Sequence, residues 1–186
     1  GDGTLANPGD RKVIGNSALR MQYGINLGVN YKGFDLSVLL QGVGKRDVWI
    51  NDARRWPFAS GKFGQIFSDQ LDYWKPVDPA NGNWEPVNPN PEFYRIYGEL
   101  NNAGHNQRAQ TKYLLDGSYL RVKNITLSYS FPKSLLTPVG LNGLKAFVSC
   151  ENLHTFHHLP DGYDPERLSW NYPFYRTISF GINVTL

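Results

Sequence analysis

From residue 177 to residue 186, polar and apolar side chains alternate without interruption. The apolar positions of this stretch are Ile178, Phe180, Ile182, Val184 and Leu186. Because successive side chains of a β-strand point to opposite faces, the pattern predicts a strand over about 173–186 with one apolar and one polar side. Soluble proteins usually protect the edge of such a strand with charges, a proline or a short length. The unprotected pattern therefore predicts that another strand pairs with it.

The same alternation near the beginning of the chain predicts a long β-hairpin. Its arms span about 20–31 and 34–45, and Gly33 supplies the permissive backbone of the short connection. The apolar side of the first arm contains Met21, Tyr23, Ile25, Leu27, Val29 and Tyr31. Each arm is longer than the roughly five or six residues of a usual soluble strand, and aromatic residues lie at both limits of the apolar side. That combination is typical of a membrane-spanning barrel strand, whereas periodicity alone leaves a soluble β-sandwich open as the alternative.

Two further strands are predicted over about 113–131 and 144–153. In the first of them, Arg121 and Lys123 occupy positions that the alternation assigns to the apolar side. We expect these two side chains to lie beyond the apolar band or beside a β-bulge, which would shift the alternation by one residue. The facing of the second strand stays open, because Phe147 competes with its neighbours for the apolar side.

Between residues 46 and 112 the alternation stops, and Pro, Asn, Gly and Asp become frequent. Structureless loops longer than about 12–15 residues are uncommon in compact domains and usually carry a function. A short helix is predicted around Phe67–Trp74, where Phe67, Leu71 and Trp74 have helical spacing that suits internal packing.

The aromatic residues of this excursion are candidates for binding. Soluble surfaces rarely leave so much aromatic area bare, and Trp and Tyr anchor interfaces and stack on ligands. We therefore expect Trp56, Trp84 and Tyr94 to contact a substrate or a partner protein. The alternative is that Trp56, Trp74 and Trp84 pack against one another and fold the excursion on itself.

Composition narrows the class of protein. A length of 186 residues fits one domain, and a net charge of +3 with scattered Lys and Arg argues against a nucleic-acid groove. The single cysteine, Cys150, excludes an intramolecular disulfide and a cysteine-based zinc site. A run of about 18 apolar residues is missing, so no transmembrane helix is encoded.

Strand directions make the picture consistent with a barrel. If the last strand runs toward the inner side of a membrane, the connections at 32–33 and 132–143 also lie inside and are short. The connections at 46–112 and 154–172, together with residues 1–19, then lie outside and are long. Short inner turns and long outer loops are typical of outer-membrane barrels, which need at least about eight strands to close. The sequence therefore predicts an all-β fold: a transmembrane antiparallel arc of about five strands that forms the C-terminal part of a larger barrel with long extracellular loops.

Several stretches resemble, in order, one family. They are Tyr23-Gly-Ile-Asn-Leu, Tyr31-Lys-Gly-Phe-Asp-Leu-Ser-Val, the run from Asp116 to Lys133, Tyr163-Asp-Pro-Glu166 and Arg176-Thr-Ile-Ser-Phe-Gly-Ile-Asn-Val. These motifs resemble the late strands of SusC/RagA-type TonB-dependent outer-membrane transporters, and only 46–112 is free of the resemblance in detail. One departure is Leu186, because members often end in Phe.

The resemblance implies a barrel of about 22 strands in the bacterial outer membrane. It implies an N-terminal plug, which is absent from this chain, and contact with TonB through that missing region. It also implies a SusD-like surface lipoprotein that acts as a lid, and oligosaccharides or peptides as substrates. The apolar sides of the strands, with Ile25, Leu27, Val29 and the five apolar residues between 178 and 186, would then face outer-membrane lipid. The alternative function is a soluble β-rich carbohydrate-binding module that uses the aromatic excursion 46–112.

Other chemistry is weakly encoded. His154, His157 and His158 place three imidazoles close together along the chain, but we expect an ordinary polar loop and no metal site. Asp2 and Asp10, near Asn7, could ligate a structural calcium ion through oxygen atoms, although their spacing is not that of an EF-hand; no other cofactor is expected. Asp164-Pro-Glu166 suggests a turn more than an acid–base pair. The chain is therefore expected to have no enzymatic activity.

Overall fold

Residues 11–52, 54–57, 66–95, 107–168, 172 and 174–186 are described in a computed structural model. The chain forms two compact units. The strand unit lies within Gly1–Val48 and Leu115–Leu186, and the excursion unit lies within Trp49–Leu114.

The strand unit is built around one antiparallel sheet. Within the described residues the strands, in chain order, are β1 (Gln22–Tyr31), β2 (Phe34–Val43), β3 (Asp47–Val48), β4 (Pro76–Asp78), β5 (Asn83–Pro86), β6 (Leu115–Asp116), β7 (Tyr119–Ser130), β8 (Gly143–His157) and β9 (Thr177–Thr185). The main sheet has the order β1-β2-β7-β8-β9, while β3 pairs with β6 and β4 pairs with β5. The predicted all-β antiparallel class with about five long strands is confirmed.

The first and last residues of some strands differ from the expected ones, because pairing with the neighbouring strand determines where a strand begins and ends. The strand expected over 113–131 begins only at Tyr119, because Thr111–Tyr113 forms a 3-10 turn. The strand expected over 144–153 continues to His157, because its last residues pair with the beginning of β7. In β9 the pairing with β8 begins at Thr177, opposite Glu151.

The connections at the two ends of the main sheet differ in length. The β1–β2 turn consists of Lys32 and Gly33, whose φ angles of 47° and 88° are those of the two-residue turns that match the twist of a hairpin. At the same end, β7 and β8 are joined through helix α1 (Lys133–Leu136) and a 3-10 turn. The connections 44–118 and 158–176 begin and end at the other end of the sheet, as the strand directions predict. Among the described residues there is no helix with the length and apolar character needed to cross a membrane.

A β-bulge in β7 changes which face its side chains take. Leu39 of β2 pairs with Asn124, but the next residue, Leu40, pairs with Val122, so Lys123 is the extra residue of β7. Arg121 is therefore opposite Gln41. Of the two expected arrangements the structure has the bulge, which moves Arg121 to the side of the sheet that carries the polar residues.

The excursion unit has a short hairpin and tight turns in its described part. Strands β4 and β5 are joined through a 3-10 turn at Pro79–Asn81, and another 3-10 turn spans Ser68–Leu71. The helix expected around 67–74 is thus a single tight turn. Because this turn ends at Leu71, Trp74 lies outside it, and Leu71 is 58% exposed instead of packed.

Candidate functional site

The main sheet has one face made of apolar side chains, called here the apolar face. The register places Leu27 opposite Val38, Val38 opposite Ile125, Ile125 opposite Cys150 and Cys150 opposite Ile178, so this face continues across all five strands. It remains open to the surroundings at Ile25, Leu27, Val29, Ile178, Phe180, Ile182 and Val184, whose exposed fractions run from 45% to 81%. Leu186 follows β9 and is also exposed. Contiguous apolar surface of this extent marks an interaction with a membrane or a protein.

Aromatic side chains border the apolar face. Near the short-turn end, Tyr31 pairs with Phe34, and the ring centres of Phe34 and Tyr129 are 4.5 Å apart. Near the long-loop end, Tyr23 and Phe156 lie in one row across the sheet. Tyr23 and Tyr31 are eight residues apart, which corresponds to about 26 Å along a strand. At the strand tilt of about 35–45° found in outer-membrane barrels, this length spans a height of about 20 Å, somewhat less than the apolar band of about 25 Å between their aromatic girdles.

The opposite face, called here the polar face, consists mainly of Asn, Ser, Thr and charged residues. Asp35 of β2 accepts hydrogen bonds from Lys145 Nζ of β8 at 2.8 Å and from Ser128 Oγ of β7 at 3.4 Å. Asn30 of β1 also donates to this carboxylate. Four strands thus share one polar cluster near the short-turn end.

Phe147 is a large apolar side chain on the polar face. Its register partner is Gly181 of β9, and a Cβ atom added at Gly181 would lie 2.4 Å from the Phe147 ring. The end of the Phe147 ring therefore occupies the space in which any other residue at position 181 would have its Cβ atom. This packing shows which face of the sheet Phe147 of β8 takes, a point that the sequence left open. The ring occupies a space that only glycine provides.

Trp56 forms the core of the excursion unit. It is 1% exposed, its Nε1 donates to the Ile50 carbonyl at 3.1 Å, and its ring centre is 4.7 Å from that of Tyr113 in an edge-on contact. The guanidinium of Arg55 lies 5.9 Å from the Trp56 ring centre and 5.0 Å from that of Phe93. The expected contact of Trp56 with a substrate or partner is corrected to internal packing, because its ring has no free surface in this arrangement.

Tyr94 takes an intermediate position. Its ring stacks on Trp56 with centres 6.0 Å apart, and its hydroxyl accepts a hydrogen bond from Gln107 Nε2 at 2.8 Å. Burial raises the pKa of Tyr94 above its usual value, against the opposing effect of the Gln107 hydrogen bond. The phenol is thus neutral at physiological pH, and one side of the ring is half-buried against the core.

Trp84 is the member of the expected set that lies at the surface. It belongs to β5, is 51% exposed, and has the Arg95 guanidinium 5.1 Å from its ring centre. The same guanidinium is 5.7 Å from the ring centre of Trp74. Val77 of the facing strand β4 and Val87 just beyond β5 are also more than half exposed. The β4–β5 hairpin thus presents apolar surface together with a cation.

The three histidines do not converge. His154 pairs with Val122 on the apolar face, whereas His157 pairs with Tyr119 on the polar face. His158 lies 3.4 Å from Asp116. Within the described residues no group of three or more His, Cys, Asp or Glu side chains could hold a metal ion. The calcium expectation at Asp2 and Asp10 falls outside the described residues.

An open groove of about 960 Å³ lies at the long-loop end of the strand unit. Its lining includes Tyr23, Lys45, Asp116, Tyr119 and His157. Ser118 donates its backbone N–H to Asp116 at 2.9 Å, and this hydrogen bond holds the pKa of the Asp116 carboxyl below its usual value. The groove therefore carries aromatic surface beside fixed charge. Sequence reasoning did not find it, because its lining residues come from four separate stretches of chain.

Sequence relatives of the chain are outer-membrane receptors. The chain is 30% identical over 201 residues to TonB-dependent receptor P3 of Formosa agariphila, covering 99% of this chain and 18% of the relative. It is 26% identical over 199 residues to TonB-dependent receptor P26 of the same organism, covering 100% of this chain and 19% of the relative. The chain thus spans about a fifth of the length of these curated relatives. No family model matches it.

Solved structures show the same fold. The RagAB peptide importer in its closed-closed state superposes with a TM-score of 0.61 at 24% identity, covering 88% of this chain and 17% of that chain. The same importer in its open-open state gives a TM-score of 0.60 at 22% identity, covering 89% and 17%. The apolar and polar faces of the sheet therefore belong to a fold that these importers share.

Proposed function

We propose that the chain, which is similar over its whole length to TonB-dependent receptors and shares its fold with the RagAB importer, forms part of the barrel wall of a SusC/RagA-type nutrient importer of the bacterial outer membrane. The importer would take up oligosaccharides or peptides, with a SusD-like lipoprotein as its lid and TonB acting through a region outside this chain. The chain itself has a structural and binding role without enzymatic chemistry.

The observation that carries this proposal is the difference between the two faces of the main sheet. The apolar face is exposed across five strands and has aromatic side chains at both limits. In water this surface would favour aggregation, whereas in a bilayer it replaces lipid–lipid contacts at little cost. We propose that Ile25, Leu27, Val29, Ile178, Phe180, Ile182, Val184 and Leu186 contact lipid. The polar face would line the lumen.

The excursion unit is proposed to bind the lid. Trp84 combines an exposed indole with a neighbouring cation, and aromatic and arginine side chains dominate the free energy of protein interfaces. Tyr94 is proposed to contribute through the part of its ring that is not packed against Trp56. It would also hold the residues beside it in place. Trp56 would act only indirectly, as the core on which the unit is built.

The substrate class is supported by one solved relative of the fold. RagAB is described as a peptide importer, and the excursion unit here carries aromatic side chains that suit peptide side chains as well as sugar rings. Both substrate classes are therefore to be tested.

The test uses the intact transporter that contains this segment. Cells with and without its gene receive labelled peptides or labelled oligosaccharides, with and without a protonophore. We expect uptake of one class that depends on the gene and on the proton-motive force, together with co-purification of a lipoprotein. Uptake that continues after the proton-motive force is removed would contradict a TonB-dependent mechanism.

The alternative, a soluble carbohydrate-binding module, predicts different behaviour during purification. Such a module would be monodisperse without detergent and would bind sugars through the excursion unit alone. We expect the protein to require detergent, because the apolar face has no cover among the described residues. Monodisperse protein in plain buffer would favour the soluble module.

A further inference from the structure

Arg121 is a buried cation on the polar face, at the long-loop end of β7. It is 1% exposed. Its Nη2 atom donates to Asp164 Oδ1 at 2.7 Å, and its Nη1 atom lies 3.2 Å from Glu166 Oε1. Its Nε atom donates to Thr155 Oγ1 of β8 at 2.8 Å. One side chain therefore joins two strands of the wall to two carboxylates of the β8–β9 connection.

Asp164 is in turn held by the backbone of that connection. The N–H of Glu166 donates to Asp164 Oδ1 at 2.9 Å, and the N–H of Phe174 donates to Oδ2 at 3.3 Å. Burial by itself would raise the pKa of Asp164, but these hydrogen bonds and the Arg121 charge outweigh it and hold the pKa below its usual value. The carboxylate is therefore ionised at neutral pH, and it ties residue 174 to residues 164–166.

Phe174 covers this cluster with an aromatic ring. The ring centre lies 5.2 Å from the Arg121 guanidinium, 4.8 Å from Lys123 Nζ and 4.1 Å from the Arg167 guanidinium. Lys123 also reaches Glu166 Oε2 at 3.4 Å. Cations attract the face of an aromatic ring more strongly where water is excluded. The ring therefore adds to the attraction between wall and connection and keeps the ion pairs dry.

We propose that Arg121 is a latch that holds the β8–β9 connection against the polar face, so that the connection is a fixed part of the wall. Loops of this kind are usually the most mobile segments of a fold, because few buried contacts restrain them. Here the restraint is a buried ion pair, and removing one partner of such a pair leaves an uncompensated charge. If the polar face lines a lumen, as in the proposed function, the latch sets the free width at the long-loop end.

The latch depends on the β-bulge at Lys123. Without that extra residue, the alternation would direct Arg121 to the apolar face. The bulge turns it to the polar face and leaves Lys123 beside the connection.

Hydrogen–deuterium exchange of the purified intact transporter tests the latch without any substrate. In Arg121→Met we expect exchange of residues 163–168 to be faster by about tenfold or more, because the buried anchor is lost. Exchange of residues 124–130 in β7 should stay unchanged. Lys145→Met is the matched control, since it removes a cation of the same face whose ion pair with Asp35 is only half-buried and lies near the short-turn end.

Two further variants, Arg121→Lys and Asp164→Asn, test the same latch. Arg121→Lys should give an intermediate rate, because lysine cannot reach both carboxylates with one planar group. If Arg121→Met does not assemble, Asp164→Asn is judged by the same criteria. An assembled variant with unchanged exchange at 163–168 overturns the latch. Equal acceleration in the strands overturns it as well, because Arg121 would then hold the wall and not the connection. Transport is measured separately, so loss of uptake alone decides nothing about the latch.

Discussion

The strand unit and the excursion unit place the same kinds of side chain in opposite surroundings. In the strand unit, Phe180 is 81% exposed and Tyr31 is 64% exposed. In the excursion unit, Trp56 and Phe93 are each 1% exposed and Tyr113 is 3% exposed. Because aromatic side chains are driven out of water in both units, this difference is the one expected if lipid surrounds the sheet, as proposed above, and water surrounds the excursion.

Backbone hydrogen bonding explains why the sheet exposes its aromatic side chains and the excursion buries them. In the sheet, ladder hydrogen bonds satisfy the main chain, so side chains are free to point outward in a regular alternation. The described part of the excursion has the short β4–β5 ladder and a β-bridge between Tyr73 and Phe93, and it gains its stability from a cluster around Trp56. The two units should therefore respond to different changes.

Removal of β9 should have the largest effect. Deleting residues 177–185 from the intact transporter exposes the whole edge of β8 and prevents closure, so we expect no assembled barrel. Heat-modifiable migration in gels measures assembly. The control is deletion of the β4–β5 hairpin, residues 76–86, which should leave the barrel assembled. A membrane-inserted barrel without β9 would show that closure does not need this strand.

Trp56→Ala should unfold the excursion unit while the barrel persists. Truncating a buried Trp costs about 3–5 kcal/mol through lost transfer energy and the cavity left behind. Limited proteolysis of the intact transporter should then cut within 49–114 much faster than in the parent protein. Leu71→Ala is the control, because Leu71 is 58% exposed. Equal proteolysis of both variants would mean that the unit has no core at Trp56.

Leu27→Arg should distinguish the two faces of the sheet. Leu27 lies midway between Tyr23 and Tyr31, so it should be near the bilayer midplane, where Arg costs about 2–4 kcal/mol. Asn26→Arg places the same charge one residue away on the polar face and should cost much less. Reversible unfolding in lipid or detergent measures both free energies. Equal costs would show that the facing is assigned wrongly.

Trp84→Ala should have the smallest effect on folding and a selective effect on binding. Its exposed ring contributes little to the core, so protease resistance should match that of the parent protein. Binding of the lid should weaken by about 2 kcal/mol if Trp84 is an interface anchor. Co-purification of the lipoprotein measures this, and Trp74→Ala, which should loosen the unit itself, is the comparison. Unchanged lid binding in an intact Trp84→Ala unit would remove the proposed contact.

Local patterns allowed much of the strand unit to be predicted. The hairpin around Gly33 and the faces of β1 and β9 follow from residues that are neighbours along the chain. The candidate binding residues could be predicted less well. Trp56 lies in the core and Trp84 lies at the surface, because Tyr113 packs against Trp56 from a position far away along the chain.

The sequence by itself determined which side chains share a face and at which end each connection lies, because a strand has a period of two and reverses direction at each turn. Tertiary structure alone decided where that rule is interrupted and what the interrupted residue contacts. A bulge is a property of two paired strands, and the pairing of Arg121 with Asp164 joins residues 43 positions apart. Nothing local to either residue specifies the other, because their contact exists only once β8 and its connection have folded over β7.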